Sequence, residues 1–223
     1  MKKAAVITTV VLLVLAVGGA GADRATTSVA ERAITDRIEQ SFHGASSVST
    51  SISGVPILTQ VARGSLDHVT VTLEGVDTGK GLVLQTVVAE LYDVTTSTPR
   101  TAARVVARAD IATAELQKQL GDAWTITPDG DAFAVRWSGP LPVTARVVPT
   151  VRDGKLALDL ASVSVLGVSV EGSAVPTAVT DRINALAASV GALPLGLTPT
   201  SVSVTPAGAQ VVATGTDVDL ESA

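Results

Sequence analysis

The side chains that could carry catalysis are few. The chain holds two histidines, His43 and His68, and no cysteine. A serine or cysteine nucleophile needs an imidazole within reach and a third group to orient it. Asp67 and His68 are adjacent, but neighbours in a strand-like run point to opposite faces. The pair therefore reads as a solvated strand histidine rather than a catalytic dyad. The chain contains no Gly-x-Ser-x-Gly elbow and no His-Glu-x-x-His spacing. Two histidines without a thiolate leave little to hold a metal, and no cofactor is expected. Asp129 and Asp131 flank Gly130 and read as turn formers. Asp217, Asp219 and Glu221 read as a solvated tail. A carboxylate pair for glycoside hydrolysis stays open. Against it, two Trp, one Tyr and two Phe offer few sugar platforms. The expectation is a protein that is not an enzyme.

Composition narrows the partners. Sixteen Lys+Arg stand against 21 Asp+Glu, for a net charge of −5, so nucleic acid is not expected as a partner. Without cysteine there is no disulfide framework and no thiol for a lipoprotein anchor. Hydrophobic residues make up 46% of the chain, charged residues 17%, so disorder is excluded. Mean hydropathy is +0.43. Either apolar surface is set aside for a ligand cavity or a membrane contact, or Ala and Val replace bulkier residues in an ordinary β core.

These residues need elements to position them. Lys2 and Lys3 precede an uncharged run from Ala4 to Ala22. This is a signal peptide cleaved after Ala20-Gly21-Ala22, or an uncleaved anchor close to the ~20 residues that span a bilayer. Both place the remainder outside the cytoplasmic membrane. Residues 25–42 read as a helix striped by Ala30, Ile34, Ile38 and Phe42. Thr113–Leu120 is a second, short helix. The third begins near Pro176, carries Val179, Ile183, Leu186 and Val190 on one face, and stops at Gly191. Between them the apolar period is two. Val69, Val71 and Leu73 alternate with threonines, as do the odd positions of 103–111 and of 143–151. Asp129-Gly130 and Asp153-Gly154 mark hairpin tips. Seven to nine strands and three helices predict an α+β domain, with a curved, mostly antiparallel sheet covered by helices. No linker divides residues 23–223, which read as one domain.

The most informative stretch runs from 53 to 71. It contains Gly54-Val55-Pro56-Ile57-Leu58-Thr59-Gln60, then Gly64-Ser65-Leu66-Asp67-His68-Val69. Here the chain resembles the LmeA-like family of actinobacterial cell-envelope phospholipid-binding proteins. That family shows a membrane-targeting segment, an amphipathic helix and a Gly-aromatic-Pro-x-Leu-Thr-Gln motif. Val55 departs from the usual aromatic. The resemblance implies a phospholipid ligand, a membrane surface as partner, and a role in lipoglycan or envelope-lipid maturation. It also implies a tubular lipid-binding fold, in which a curved sheet wraps a long helix.

For that function the candidate apolar wall is Ile34, Ile38, Val55, Ile57, Leu58, Val61, Val179, Ile183 and Leu186. The same residues could instead close a filled core. Arg63 is the candidate for a phosphate headgroup, or else a solvated turn residue. Arg104 and Arg108 share a strand face and read as solvent-facing. A structural or protein-partner domain is the competing function.

Overall fold

Alternating Val, Thr and Ala favour a pleated, half-buried surface, and strands dominate the result. The computed structural model describes residues 45–54, 57–78, 81–139, 142–170, 181 and 196–220, without the side chains of Ile57, Leu58 and Val61. In chain order the elements are β1 (Ser47–Ser53), α1 (Ile57–Arg63), β2 (Ser65–Asp77), β3 (Val83–Thr95), β4 (Thr101–Ala112) and α2 (Thr113–Leu120). There follow β5 (Trp124–Asp129), β6 (Ala132–Trp137), β7 (Val143–Arg152), β8 (Lys155–Val165), β9 (Val168–Val170), β10 (Thr198–Thr205) and β11 (Gly208–Asp219).

The first sheet has six strands in the order β1-β2-β3-β4-β11-β10, the second five in the order β5-β6-β7-β8-β9. Every neighbouring pair is antiparallel. The chain leaves the first sheet after β4, crosses α2, builds the second sheet, and returns to lay β11 against β4. The Thr113 backbone N–H and hydroxyl both donate to the Ala207 carbonyl, at 2.8 and 3.0 Å, which ties α2 to the β10–β11 turn.

This architecture corrects the expected fold class. Sheet packs on sheet here, and the described helices are only seven and eight residues long. The physical reason lies in the second sheet. Its apolar face and the apolar face of β11 join one cluster, in which Val135, Val147 and Val163 meet Ala209 and Val211. Each sheet covers the other there, so no helical roof is needed. Helix α2 matches its expected bounds, whereas α1 forms where the sequence predicts no helix. The expected helices at 25–42 and 176–190 lie outside the described residues, apart from Asp181, which is helical and exposed. So does the expected signal or anchor at 1–22. Among the described residues no helix is long and apolar enough to cross a membrane.

A crease crosses the first sheet. Leu66 pairs with Val94 and His68 with Tyr92, which sets Asp67 opposite Asp93. Tyr92 pairs with Arg104 and Val94 with Ala102, while Thr216 pairs with Arg104 and Val218 with Ala102. Ala103 thus lies between Asp93 and Asp217, which have φ of 51° and 49°. Short polar side chains tolerate this left-handed conformation best after glycine. At this one level, four adjacent strands each slip their inward alternation by one residue. Burial therefore jumps from Leu66 to Val69, Leu91 to Val94 and Ala102 to Val105. The crease also exposes Ala103, which strict alternation had placed inward. An irregularity of this kind bends the sheet, while Leu73, Val94 and Ala102 stay fully buried on its inner face.

Candidate functional site

Among the described residues an apolar hollow opens between the two sheets. Ile111 ends β4, and Leu116 and Leu120 project from α2, two turns of helix held by packing. Ile126, Phe133 and Val135 come from β5 and β6, Val147 and Pro149 from β7. Ala209 and Val211 close the far wall from β11. Leu156, Ala157 and Leu158 of β8 and Val202 of β10 complete the lining. The empty space is about 650 Å³, counting the part open to solvent.

The mouth is on the side of β8 and β10. All four of their lining residues are half-buried, while Ile111, Ile126 and Val147 are buried. β10 is an edge strand of the first sheet, and the first half of β8 pairs only with β7. Two free edges meet along this seam. Every described lining residue is apolar, so the hollow has nothing with which to polarise a bond or orient a proton. It can hold hydrocarbon and exclude water. Arg152, whose Nη2 donates to Asp159 Oδ2 at 2.7 Å, and exposed Lys155 stand where β8 begins. Among the described residues no group of His, Asp and Glu is arranged to hold a metal ion.

None of the expected wall residues is among the described lining of the hollow. Ile34, Ile38, Val55, Val179, Ile183 and Leu186 lie outside the described residues. Ile57, Leu58 and Val61 belong to α1, at the end of the first sheet where β2 starts and β3 stops. The hollow takes residues from the opposite end, where β4 stops and β11 starts. Arg63 shares the far end with α1, where its Nη2 pairs with Asp67 Oδ1 at 3.0 Å and both side chains are more than half exposed.

The polar part of the 53–71 motif is a clamp. Gln60 is buried, accepts a hydrogen bond from the Asp67 N–H at 2.8 Å, and points its amide toward the Ser53 carbonyl at 3.5 Å. It thereby joins the end of β1 to the start of β2. Gly54 has a φ of +106°, and a Cβ there would stand 2.3 Å from Gln60 Nε2. Only glycine fits both the backbone and the contact.

The outer face of the first sheet carries the remaining polar chemistry. His68 stacks on Tyr92 with ring centroids 4.7 Å apart, and the Arg104 guanidinium lies 4.2 Å from the Tyr92 centroid. The Tyr92 hydroxyl donates to Glu90 at 2.9 Å, and Arg108 pairs with Glu90 at 3.0 Å. Tyr92 and Arg108 hold the Glu90 carboxyl below its usual range, and the same bond pushes the Tyr92 phenol up. The Asp67 carboxylate pairs with Arg63, and its backbone N–H donates to Gln60.

Sequence reasoning missed the hollow's lining. A signal was present in 143–151, whose alternation marked Val147 as inward-facing. Nothing in that alternation said what the face would meet.

The LmeA-like phospholipid-binding family model matches residues 21–214. The chain belongs to this family. The match takes in the second sheet, the clamp, the hollow and the first sheet as far as the first seven residues of β11. Phospholipid binding is the role the family carries, and an apolar hollow is the kind of site that role requires. No curated protein and no solved structure matches the chain.

Proposed function

We propose that this is a non-enzymatic phospholipid-binding protein of the cell envelope, which holds an acyl chain in the hollow between its sheets. The observation that carries the reading is the lining, which is apolar at every described position. Each buried CH₂ contributes ~0.8 kcal/mol, so a sixteen-carbon chain offers on the order of 10 kcal/mol before ordering costs. Smooth aliphatic walls make no directional demand and accept chains of different length. The phosphate would stay at the mouth, within the field of Arg152 and Lys155. Arg63 would serve only a lipid bound at the other end of the first sheet.

Export is supported by Lys2-Lys3 and the uncharged run behind them. On this reading residues 1–22 are a signal or anchor, and 23–223 form one lipid-binding domain at the outer face of the cytoplasmic membrane. There it supports lipoglycan or envelope-lipid maturation, or lipid transfer. Native mass spectrometry of the full chain in mild detergent tests the lipid ligand. A bound mass that dissociates as phospholipid is expected. Val202→Phe, which puts a ring into the mouth, should remove most of it. An organic extract without lipid, together with no uptake of labelled phospholipid, would overturn the reading. A protein complex that survives delipidation would then favour a partner-binding domain.

A further inference from the structure

Strand β8 begins in the wall of the hollow and ends at a hairpin tip. Leu156, Ala157 and Leu158 line the hollow; beyond them come Leu160, Leu166 and Val168. Those last three are the exposed large hydrophobic residues among the described residues, at 37%, 65% and 67% exposure. All three lie on one hairpin, and residues 160–170 carry no charge.

The tip is also strained. Leu166 has a φ of 53° and Gly167 of 81°, the two positive values of a tight two-residue hairpin turn. Asn, Asp or Gly would take the first position at lower cost. A leucine there is exposed and energetically unfavourable for the isolated fold, a combination that marks function.

Both tryptophans stand at the same end. The pairing runs Trp124 to Trp137, Trp137 to Val143, Val143 to Val165 and Val165 to Val168. The two indoles stack with centroids 5.9 Å apart and are half-buried. Indoles favour the boundary between hydrocarbon and headgroups. Exposed Arg136 lies one residue inward from Trp137, a depth at which a guanidinium can meet phosphate.

We propose that the β8–β9 hairpin, with the Trp124–Trp137 end of the second sheet, inserts into a phospholipid bilayer and passes an acyl chain along β8 into the hollow. The inference rests on the hollow being the lipid site. The occupant is a bilayer surface gripped by apolar contact. With a net charge of −5 the protein gains little from anionic lipid, so the contact should tolerate high salt and need no anionic headgroup.

The chain has only these two tryptophans, so their emission reports this end however residues 1–22 attach. The full chain would be placed in phosphatidylcholine vesicles, with and without brominated acyl chains and with and without phosphatidylglycerol. Bromine should quench the emission at low and high salt alike. Leu166→Asn with Val168→Thr, which relieves the turn and keeps the strand, should cut quenching and the rate of lipid uptake from vesicles roughly tenfold. Uptake of monomeric short-chain phospholipid and the melting temperature should not fall. Val202→Phe separates the two readings: it should keep the quenching and lose the uptake. Quenching unchanged by the tip substitutions overturns the inference, as does quenching lost in Val202→Phe, which would trace it to bound lipid. Loss of monomer uptake with the tip substitutions, or capture of a protein by the tip without bilayer contact, also overturns it.

Discussion

The two ends of the second sheet are built on the same backbone and finished with opposite chemistry. At one end the β7–β8 turn is Asp153-Gly154, with φ of 50° and 67°. Charged groups crowd round it: Arg146 bridges Asp129 and Asp131 of the next hairpin, and Arg152 holds Asp159. At the other end the β8–β9 turn is Leu166-Gly167, with φ of 53° and 81° and uncharged neighbours. Turn geometry explains Asp153, because a short polar side chain suits positive φ. It cannot explain Leu166, because the same geometry disfavours a branched aliphatic residue. The contrast separates a residue chosen by the fold from one that the fold merely tolerates.

Substitutions can break the contrast. The largest effect is expected at Gly154→Ala, where a Cβ would meet Thr198 Cγ2 at 2.7 Å in addition to the positive φ. Loss of about 2 kcal/mol by urea unfolding is expected, against about 1 for Gly167→Ala, which has nothing within 4 Å of its added carbon. Equal losses would show that the β10 contact is slack. Next comes the exchange of tips. Asp153→Leu should cost about 1 kcal/mol, whereas Leu166→Asp should be neutral or stabilising by up to about 1 kcal/mol. If Leu166→Asp destabilised the protein instead, Leu166 would be packing and not display.

The smallest effect is electrostatic and lies on the first sheet. The Glu90 carboxyl is held low by Tyr92 and Arg108, so its contribution is present above the unfolded pKa and lost as pH falls through the lower folded value. Glu90→Gln should therefore flatten the acid limb of the stability profile, by a few tenths of a kcal/mol. The profile of the Leu166→Asn protein, which alters no charge, should parallel that of the wild type.

Parts of this were legible in the residues. Alternation gave β2, β4 and β7, and Asp129-Gly130 and Asp153-Gly154 gave two hairpin tips. The short helix expected at Thr113–Leu120 is α2. The crease was harder, although the three-residue steps Leu66–Val69, Leu91–Val94 and Ala102–Val105 are its trace. One such step looks like noise; three paired side by side are a structural feature, and only the register reveals that they align. The Gly54–Gln60 stretch was legible as a motif but not as a clamp. Gln60 sits in a run that reads as apolar, and its partners are backbone groups without sequence identity.

The amino-acid order by itself determined an aliphatic, strand-rich protein with few groups for catalysis, and a motif that fixed its family. It did so because period, turn chemistry and motif spacing are local properties. The hollow was decided only by the tertiary structure. Its walls come from residues between Ile111 and Val211, contributed by both sheets and α2. Val, Leu and Ile look the same in sequence whether they face other side chains or an empty space, because the hydrophobic effect has no direction. Which they face depends on how closely the free edges of β8 and β10 approach, and that distance is set by the pairing of every strand behind them.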